Sequence, residues 1–302
     1  MSEIWECVVV GGGAAGLSAA LVLGRARRRT LVVDAGRQSN LAAHGIGGLL
    51  GFDTVPPAEL YARGRRELAR YPSVRVHDGE VTSAAPSEDG FTVGLAGGET
   101  LRTRRILLAM GMRYEYPQLP GMAELWGNSV FHCPFCHGWE VRDRPLAVLA
   151  AGERGVHMAT LLRRWSDDVV LLASGLTEDQ RMRLAGAAVG IDERPVAELR
   201  STERELSAVV FEDGTDLPRG GLLVETTLHQ RSSLATELGA EFAPPNPVTA
   251  ESIAVDAMYR TTVPGVFAAG DVSAQMPQVA AAIAAGSGAA ASVVASISEE
   301  EK

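Results

Sequence analysis

The stretch "CVVVGGGAAGLSAALVLGRARRRTLVVDAG" (residues 7–36) restricts the fold more than any other part of the chain. An apolar, β-branched run ends in three glycines, a segment with helical spacing follows, and "TLVVDAG" reads as a second buried strand. The order strand, tight turn, helix, parallel strand is that of a dinucleotide fold. Gly11, Gly13 and Gly16 supply the G-x-G-x-x-G spacing, with Ala14 and Ala15 inside the same turn. The first glycine allows the turn and the second lets a pyrophosphate approach the backbone. The third lets the helix pack closely on the strand with its N-terminus facing the phosphate. Asp34 ends the next strand 18 residues after Gly16, where a carboxylate accepts hydrogen bonds from ribose hydroxyls. A bound dinucleotide is the expectation.

A less regular part follows. "HGIGGLLGFD" is a glycine-rich loop, and "PPAELYARGRRELARY" has a proline start and helical spacing. "VRVHDGEVTSAAPSEDGFTVGL" and "TLRTRRILLAMG" alternate as a small antiparallel excursion that returns to a buried strand. Ala109 and Gly111 at its end join the candidate cofactor contacts. Two prolines and a glycine mark "RYEYPQLPG" as a linker. "PLAVLAAG", "ERGVHMATLLRRW" and "DVVLLAS" then repeat the βαβ order more loosely, and proline clusters again in "APPNPV" (243–248). Beyond it, "VPGVFAAGDV" and an alanine-rich helix have no partner nearby and are expected to complete the first domain. The predicted fold class is therefore α/β, with two Rossmann-like three-layer dinucleotide-binding domains. The first is discontinuous (1–114 and 244–302), and the second (115–243) interrupts it.

Composition narrows the function. A formal net charge of −9 lacks the clustered positive field that a nucleic acid or an anionic membrane needs. "RARRRT" (25–30) is the local exception, read as a solvated helix end whose cations oppose the negative end of the helix dipole. The N-terminus has no basic region followed by an apolar stretch and cleavage site, so the expected location is the cytoplasm. There a C-x-x-C stays reduced unless it cycles. "VAAAIAAGSGAAASVVASI" (279–297) approaches the length of a membrane span but is mostly small residues, which predicts a buried helix packed closely on something flat.

Two of the three cysteines lie in "FHCPFCHGWE" (131–140), while Cys7 sits in an apolar run as a small buried hydrophobe. C-x-x-C followed by histidine fits a redox-active disulfide, a c-type haem attachment site or half of a metal site.

"TTVPGVFAAGDVSAQMPQVAAAIAAGSGAA" resembles the C-terminal flavin motif of the two-dinucleotide-domain disulfide reductases. The resemblance implies FAD, with Gly270 and Asp271 at the ribityl chain and the backbone of Gln278, Val279 and Ala280 near the ring. With the cysteines in the second domain, the whole chain resembles a low-molecular-weight thioredoxin reductase. C-x-x-C-H-G-aromatic-Glu is closer to the dithiol oxidases of the gliotoxin and holomycin type, because His137 stands where true thioredoxin reductases usually carry aspartate.

Against that background haem attachment is excluded by the missing export signal and the flavin motif. Zinc is excluded because His132, Cys133, Cys136 and His137 are too contiguous to converge on one tetrahedron, so no metal is expected. A redox disulfide remains. The spacing lets it close at the start of a helix, whose unpaired N–H groups stabilise a thiolate. The resemblance implies that Cys136 faces the flavin and Cys133 exchanges with substrate. His137 is the candidate base and Glu140 the group that orients it.

In the second fingerprint, "AAGERG", Ala150 replaces the first glycine, and Glu153 sits near the phosphate position. Ala173, Ser174 and Gly175 stand where relatives that select NADPH usually carry a His-Arg-Arg clasp, so NADPH use is doubtful. The activity implied is oxidation of a small sulfur-rich dithiol to an intramolecular disulfide by O2, giving H2O2, in antibiotic biosynthesis or self-resistance. The alternatives are an NAD(P)H-dependent reductase serving a thioredoxin-like protein, and a non-enzymatic flavin and thiol redox sensor. A homodimer is implied by the family. "LHQRSSLATELG" (228–239) reads as a loop and a helix capped by Ser232 or Ser233, with His229 and Gln230 candidates for lining a pocket.

Overall fold

The computed structural model describes residues 4–274 and 276–300. They form two compact units. One holds the chain up to Leu41, Pro57–Tyr114 and the chain from Leu228 onward, and the other holds Ala42–Pro56 and Glu115–Thr227. Both are Rossmann-like.

The first unit is built on a parallel sheet in the order Val266–Ala268, Ile106–Leu108, Cys7–Val10, Thr30–Asp34 and Val74–Asp78. The four strands from Val266–Ala268 to Thr30–Asp34 are buried throughout, which is why their sequences read as continuous apolar runs. Val74–Asp78 is the exposed edge and carries Arg75, His77 and Asp78. Side chains alternate between two cores. Val8, Val10, Leu31, Val33, Ile106 and Leu108 meet Val81, Phe91 and Val93 of an antiparallel sheet. Cys7, Val9, Val32, Leu107 and Phe267 meet the helices Ala14–Arg25, Pro57–Leu68 and Val279–Glu300.

The small residues of the last helix have a steric cause. A Cβ on Gly286 would come within 2.0 Å of the Ala15 carbonyl oxygen, and Ser18 Oγ donates to the Ile283 carbonyl at 2.8 Å. The contact surface is thus another helix rather than something flat. Val279–Glu299 is long and apolar enough to cross a membrane, yet Ala289, Ala290, Val293 and Ile297 belong to the core. The basic run after the first helix is also more engaged than a solvated end. Arg28 pairs with Glu6 at 3.1 Å, the Arg29 backbone N–H donates to the same carboxylate, and the Arg29 guanidinium lies over Trp5.

In the second unit the parallel sheet runs Val130–Phe131, Gly221–Val224, Leu146–Leu149, Val169–Leu172 and Gly190–Asp192. Helix Gly152–Leu162 covers one face, and a three-stranded antiparallel sheet, Val196–Thr202, Glu205–Phe211 and Asp216–Pro218, covers the other.

The boundaries differ from the sequence expectation in two places. The chain re-enters the first unit at Leu228 rather than 244, because Leu228, Leu234, Ala235, Leu238 and Ala240 are part of its core. Ala42–Pro56 belongs to the second unit. Asn128 holds it by accepting from the His44 backbone N–H at 3.2 Å and donating to the Ala42 carbonyl at 3.3 Å.

Candidate active site

In the first unit the glycine turn forms a cradle. Gly11 has φ +108°, and a Cβ there would lie 2.4 Å from the Ala109 carbonyl oxygen; one on Gly16 would lie 1.8 Å from that of Gly11. A Cβ on Gly270 would press on Ala15 at 2.8 Å, so Gly11, Ala15, Gly16, Ala109 and Gly270 converge. Gly13 is different. It caps helix Ala14–Arg25 without a side-chain bond, and a Cβ there would meet only Gln38 Cγ at 3.6 Å. A helix N-terminus with open space in front of it suits a pyrophosphate. Gly111, at φ +67°, turns the chain after the strand Ile106–Leu108.

Asp34 is buried and more fully engaged than its expected ribose role requires. Its carboxylate accepts from the Gly36 backbone N–H at 3.0 Å, from Gln38 Nε2 at 3.0 Å and from Arg65. Burial would raise its pKa, but the bonds from Arg65, Gly36 and Gly12 outweigh that and hold the carboxyl below the ordinary range. Ribose hydroxyls therefore compete with the half-buried Gln38. Asp271 is the opposite case: burial pushes its carboxyl up to about 6, against the pull of Arg231 and a hydrogen bond from Tyr114. Gln278, Val279 and Ala280 open the last helix, with Gln278 and Ala280 exposed. This cradle fits FAD: Gly13 and the bare helix end would face the pyrophosphate, Asp34 the ribose and Asp271 the ribityl hydroxyls.

Gln230 and His229 tie the chain to the segments around Glu251 and Val272. Gln230 Nε2 donates to the carbonyls of Glu251 and Val272, the latter next to Asp271, and His229 lies 3.8 Å from Glu251. At the short helix Leu234–Glu237, Ser232 Oγ accepts from the Leu234 N–H and Ser233 Oγ donates to Glu237.

In the second unit Cys133 and Cys136 are joined in a disulfide with Cα atoms 5.3 Å apart. Cys133 is the N-cap of a single helical turn, Pro134–His137, with proline at its first position. That turn is too short for a macrodipole, and the backbone N–H groups of Cys136 and His137 already donate to the Cys133 carbonyl, each at 3.2 Å. Thiolate stabilisation by a helix end, expected from the spacing, is therefore weak. The Ala42–Pro56 loop closes on the motif: a Cβ on Gly47 would lie 2.3 Å from the Cys136 carbonyl oxygen.

His137 stacks on Phe131 with ring centroids 5.7 Å apart. Both ring nitrogens are buried and neither has a partner with hydrogen-bond geometry. Burial lowers its pKa, while Glu140 and the nearby backbone of Gly127 and Cys133 pull the other way. Glu140 therefore acts on His137 through its charge and not through an orienting hydrogen bond. His132 is pushed down to about 4 by burial and by the charges of His137 and Arg154. Phe135 and Trp139 are 61% and 64% exposed beside the disulfide. Cys7 is free and buried, its thiol pushed up to about 12 by desolvation, which leaves it inert.

The second fingerprint also closes a turn. Gly152 has φ +54°, and a Cβ on Gly155 would lie 2.6 Å from the Ala150 carbonyl oxygen, which repeats the packing of Gly16. Next to it is a cleft of about 590 Å³ lined by Glu115, Ala150, Ala173, Glu193, Arg194 and Glu225 among others. Arg194 brings a cation to this cleft, although Ala173, Ser174 and Gly175 supply none. Its guanidinium is nevertheless held by Asp192 (Nε to Oδ1 3.0 Å) and lies over the Phe211 ring at 3.9 Å.

The sequence matches the family model for pyridine nucleotide-disulphide oxidoreductase over residues 5–286. The chain belongs to that family. It is 33% identical over 299 residues to thioredoxin reductase tcpT of Claviceps purpurea, a match covering 94% of this chain and 92% of the relative. With thioredoxin reductase aclD of Aspergillus oryzae it shares 31% identity across all of this chain and 99% of the relative. The crystal structure of HlmI superposes with a TM-score of 0.92 at 37% identity, covering 100% of this chain and 95% of that one. This family member is a flavin-dependent thiol/disulfide oxidoreductase. Arg65, Gln38, Tyr114 and Arg231 around the cradle, and Glu225 and Arg194 at the cleft, carried no motif in the sequence. Only the fold brings them to these sites.

Proposed function

We propose that the enzyme is a dithiol oxidase that closes an intramolecular disulfide in a small sulfur-rich metabolite and uses O2 as electron acceptor. The observation carrying this reading is the Cys133–Cys136 disulfide with the unpartnered, buried ring nitrogens of His137 directly after it. A substrate thiolate attacks Cys133 Sγ. A substrate–Cys133 disulfide forms as the Cys133–Cys136 bond breaks, and Cys136 leaves as the thiolate. The second substrate thiolate then attacks the substrate sulfur of that mixed disulfide, which forms the cyclic product and releases Cys133. The substrate loses two electrons and two protons, and the cysteine pair gains the electrons. His137, held mostly neutral at pH 7 by its burial, takes a thiol proton. Bound FAD supplies the route for those two electrons from the cysteine pair to O2, yielding H2O2. Exposed Phe135 and Trp139 offer apolar surface for a small organic substrate beside the disulfide.

The second glycine turn, closed by Gly152 and Gly155, is the feature behind one other reading, an NAD(P)H-dependent reductase of a thioredoxin-like protein. Oxygen uptake by the purified flavoprotein with small dithiols under air tests the first reading, with peroxide formed in equal amount. Brisk NADPH oxidation coupled to thioredoxin reduction, without dithiol-driven oxygen uptake, replaces it with the second.

A further inference from the structure

The two glycine turns of this chain end in helices whose N-termini are met by different groups. At Ala14–Arg25 a Cβ on the capping Gly13 would meet only Gln38 Cγ at 3.6 Å, with the Asp34 carboxylate against the neighbouring Gly12, whereas at Gly152–Leu162 a carboxylate takes the N–H of the capping Ala151 itself. Glu225 follows the strand Gly221–Val224, its backbone N–H donates to the Leu149 carbonyl at 3.1 Å, and it lines the cleft. Its Oε2 accepts from the Ala151 backbone N–H at 3.3 Å, the group that caps the helix. Its Oε1 accepts from Arg154 Nη1 at 3.0 Å, and Arg154 Nη2 donates to the Thr226 carbonyl at 2.6 Å. A second carboxylate, Glu153, sits on the first turn of the same helix and is held there by Arg183 and Gln180. The Ala151 N–H and the Arg154 guanidinium, two donors that would receive a phosphate, are thus taken by Glu225, and Arg194 of the cleft is paired with Asp192.

We propose that Glu225 is an internal anion that fills the phosphate subsite of the second cleft, with Arg154 as its clamp, and so excludes nucleoside diphosphates and pyridine dinucleotides. The fold keeps the nucleotide turn while this side chain takes the place of the ligand's charge. An approaching pyrophosphate meets the Glu225 carboxylate instead of the Ala151 N–H and a free guanidinium. This holds independently of the dithiol-oxidase reading, because it concerns binding in the cleft and not the direction of electron flow.

Calorimetric titration of the FAD-loaded protein with ADP and with NADPH tests it, alongside Glu225→Ala and Glu225→Gln. Both substitutions remove the carboxylate charge at a partly exposed position, and retained flavin absorbance and melting temperature verify folding. Glu225→Ala is expected to bind ADP at least about tenfold more tightly than wild type, since one freed charge-assisted contact is worth about that much. Adding Arg154→Ala reverses the gain. Micromolar binding of either nucleotide by the wild type overturns the proposal, as does a folded Glu225→Ala without the gain. Should Glu225→Ala not fold, Glu225→Gln decides: tighter ADP binding supports the internal anion, and unchanged affinity overturns it. Failure of oxygen uptake with dithiols leaves this result untouched.

Discussion

Replacing His137 with alanine asks whether its ring moves the thiol proton. Assistance by a positioned histidine contributes about 10²–10⁴-fold. Anaerobic attack of dithiothreitol on Cys133–Cys136, followed in a stopped-flow instrument as bleaching of the yellow flavin, slows by about that factor in His137→Ala. The pH profile is the sharper measurement. Burial holds the imidazole below its ordinary 6.5, and Glu140 opposes that from an exposed position. A base with pKa 6.5 is about three-quarters neutral at pH 7, and one with a lower pKa is more so. With rates corrected for the thiolate fraction of the reagent, the reaction should rise through a limb below pH 6.5 and level off near neutrality. Glu140→Gln removes a contribution that raises the pKa, so the limb moves to lower pH. Salt at 1 M, where the screening length is about 3 Å, moves it the same way in the wild type. A merely structural histidine would slow the reaction without shifting any limb. A His137→Ala rate within about threefold of wild type, or a limb that moves upward in Glu140→Gln, refutes the assignment of His137 as base.

Cys136→Ser should abolish turnover and leave the protein yellow, because the cradle lies wholly in the first unit; a colourless variant, read by absorbance, contradicts that separation. Gly286→Ala places a methyl within 2.0 Å of the Ala15 carbonyl oxygen and should cost about 1–3 kcal/mol in thermal unfolding while weakening flavin retention. His132 makes the second unit acid-sensitive. The unfolded chain takes up its proton near pH 6.5 and the folded chain not until about 4, so stability is lost as pH falls through that window, by about 3 kcal/mol in all. Urea midpoints at pH 7 and pH 4.5 should separate in wild type and draw together in His132→Phe.

What was legible in the sequence was local. The turn at Gly11, Gly13 and Gly16 is written within six consecutive residues, although only Gly16 answers a contact inside the turn, the Gly11 carbonyl, while Gly11 answers the distant Ala109 carbonyl. Parallel strands buried on both faces reveal themselves as apolar runs, and the return of Val266–Ala268 to the first sheet follows from its having no partner nearby in the sequence. The re-entry at Leu228 was hidden because a proline cluster at 243–248 is a stronger local signal than Leu228, Leu234 and Leu238. Their core partners lie far away, such as Val81 and Ala84. The single-turn helix after Cys133 was hidden for a related reason: proline at its first position predicts a start and says nothing about length.

The two fingerprints show why the second cleft lay beyond reach of a motif. Gly16 and Gly155 do the same packing work, so the turn survives at both places and a pattern search sees two nucleotide sites of unequal quality. Affinity for a phosphate is decided elsewhere, by whatever stands before the helix end. In the first unit that is only Gln38 Cγ, 3.6 Å from where a Cβ on the capping Gly13 would lie, with Asp34 on the neighbouring Gly12. In the second it is a carboxylate supplied from Glu225, 74 positions beyond Ala151 in the chain. Residues that shape a turn must be neighbours in sequence, whereas a charge that fills a subsite need only arrive there through the sheet. The electrostatic state of the cleft is therefore a property of tertiary structure. Replacing one glycine by Ala150 weakens the fingerprint, and Glu225 with its Arg154 clamp is what closes the subsite.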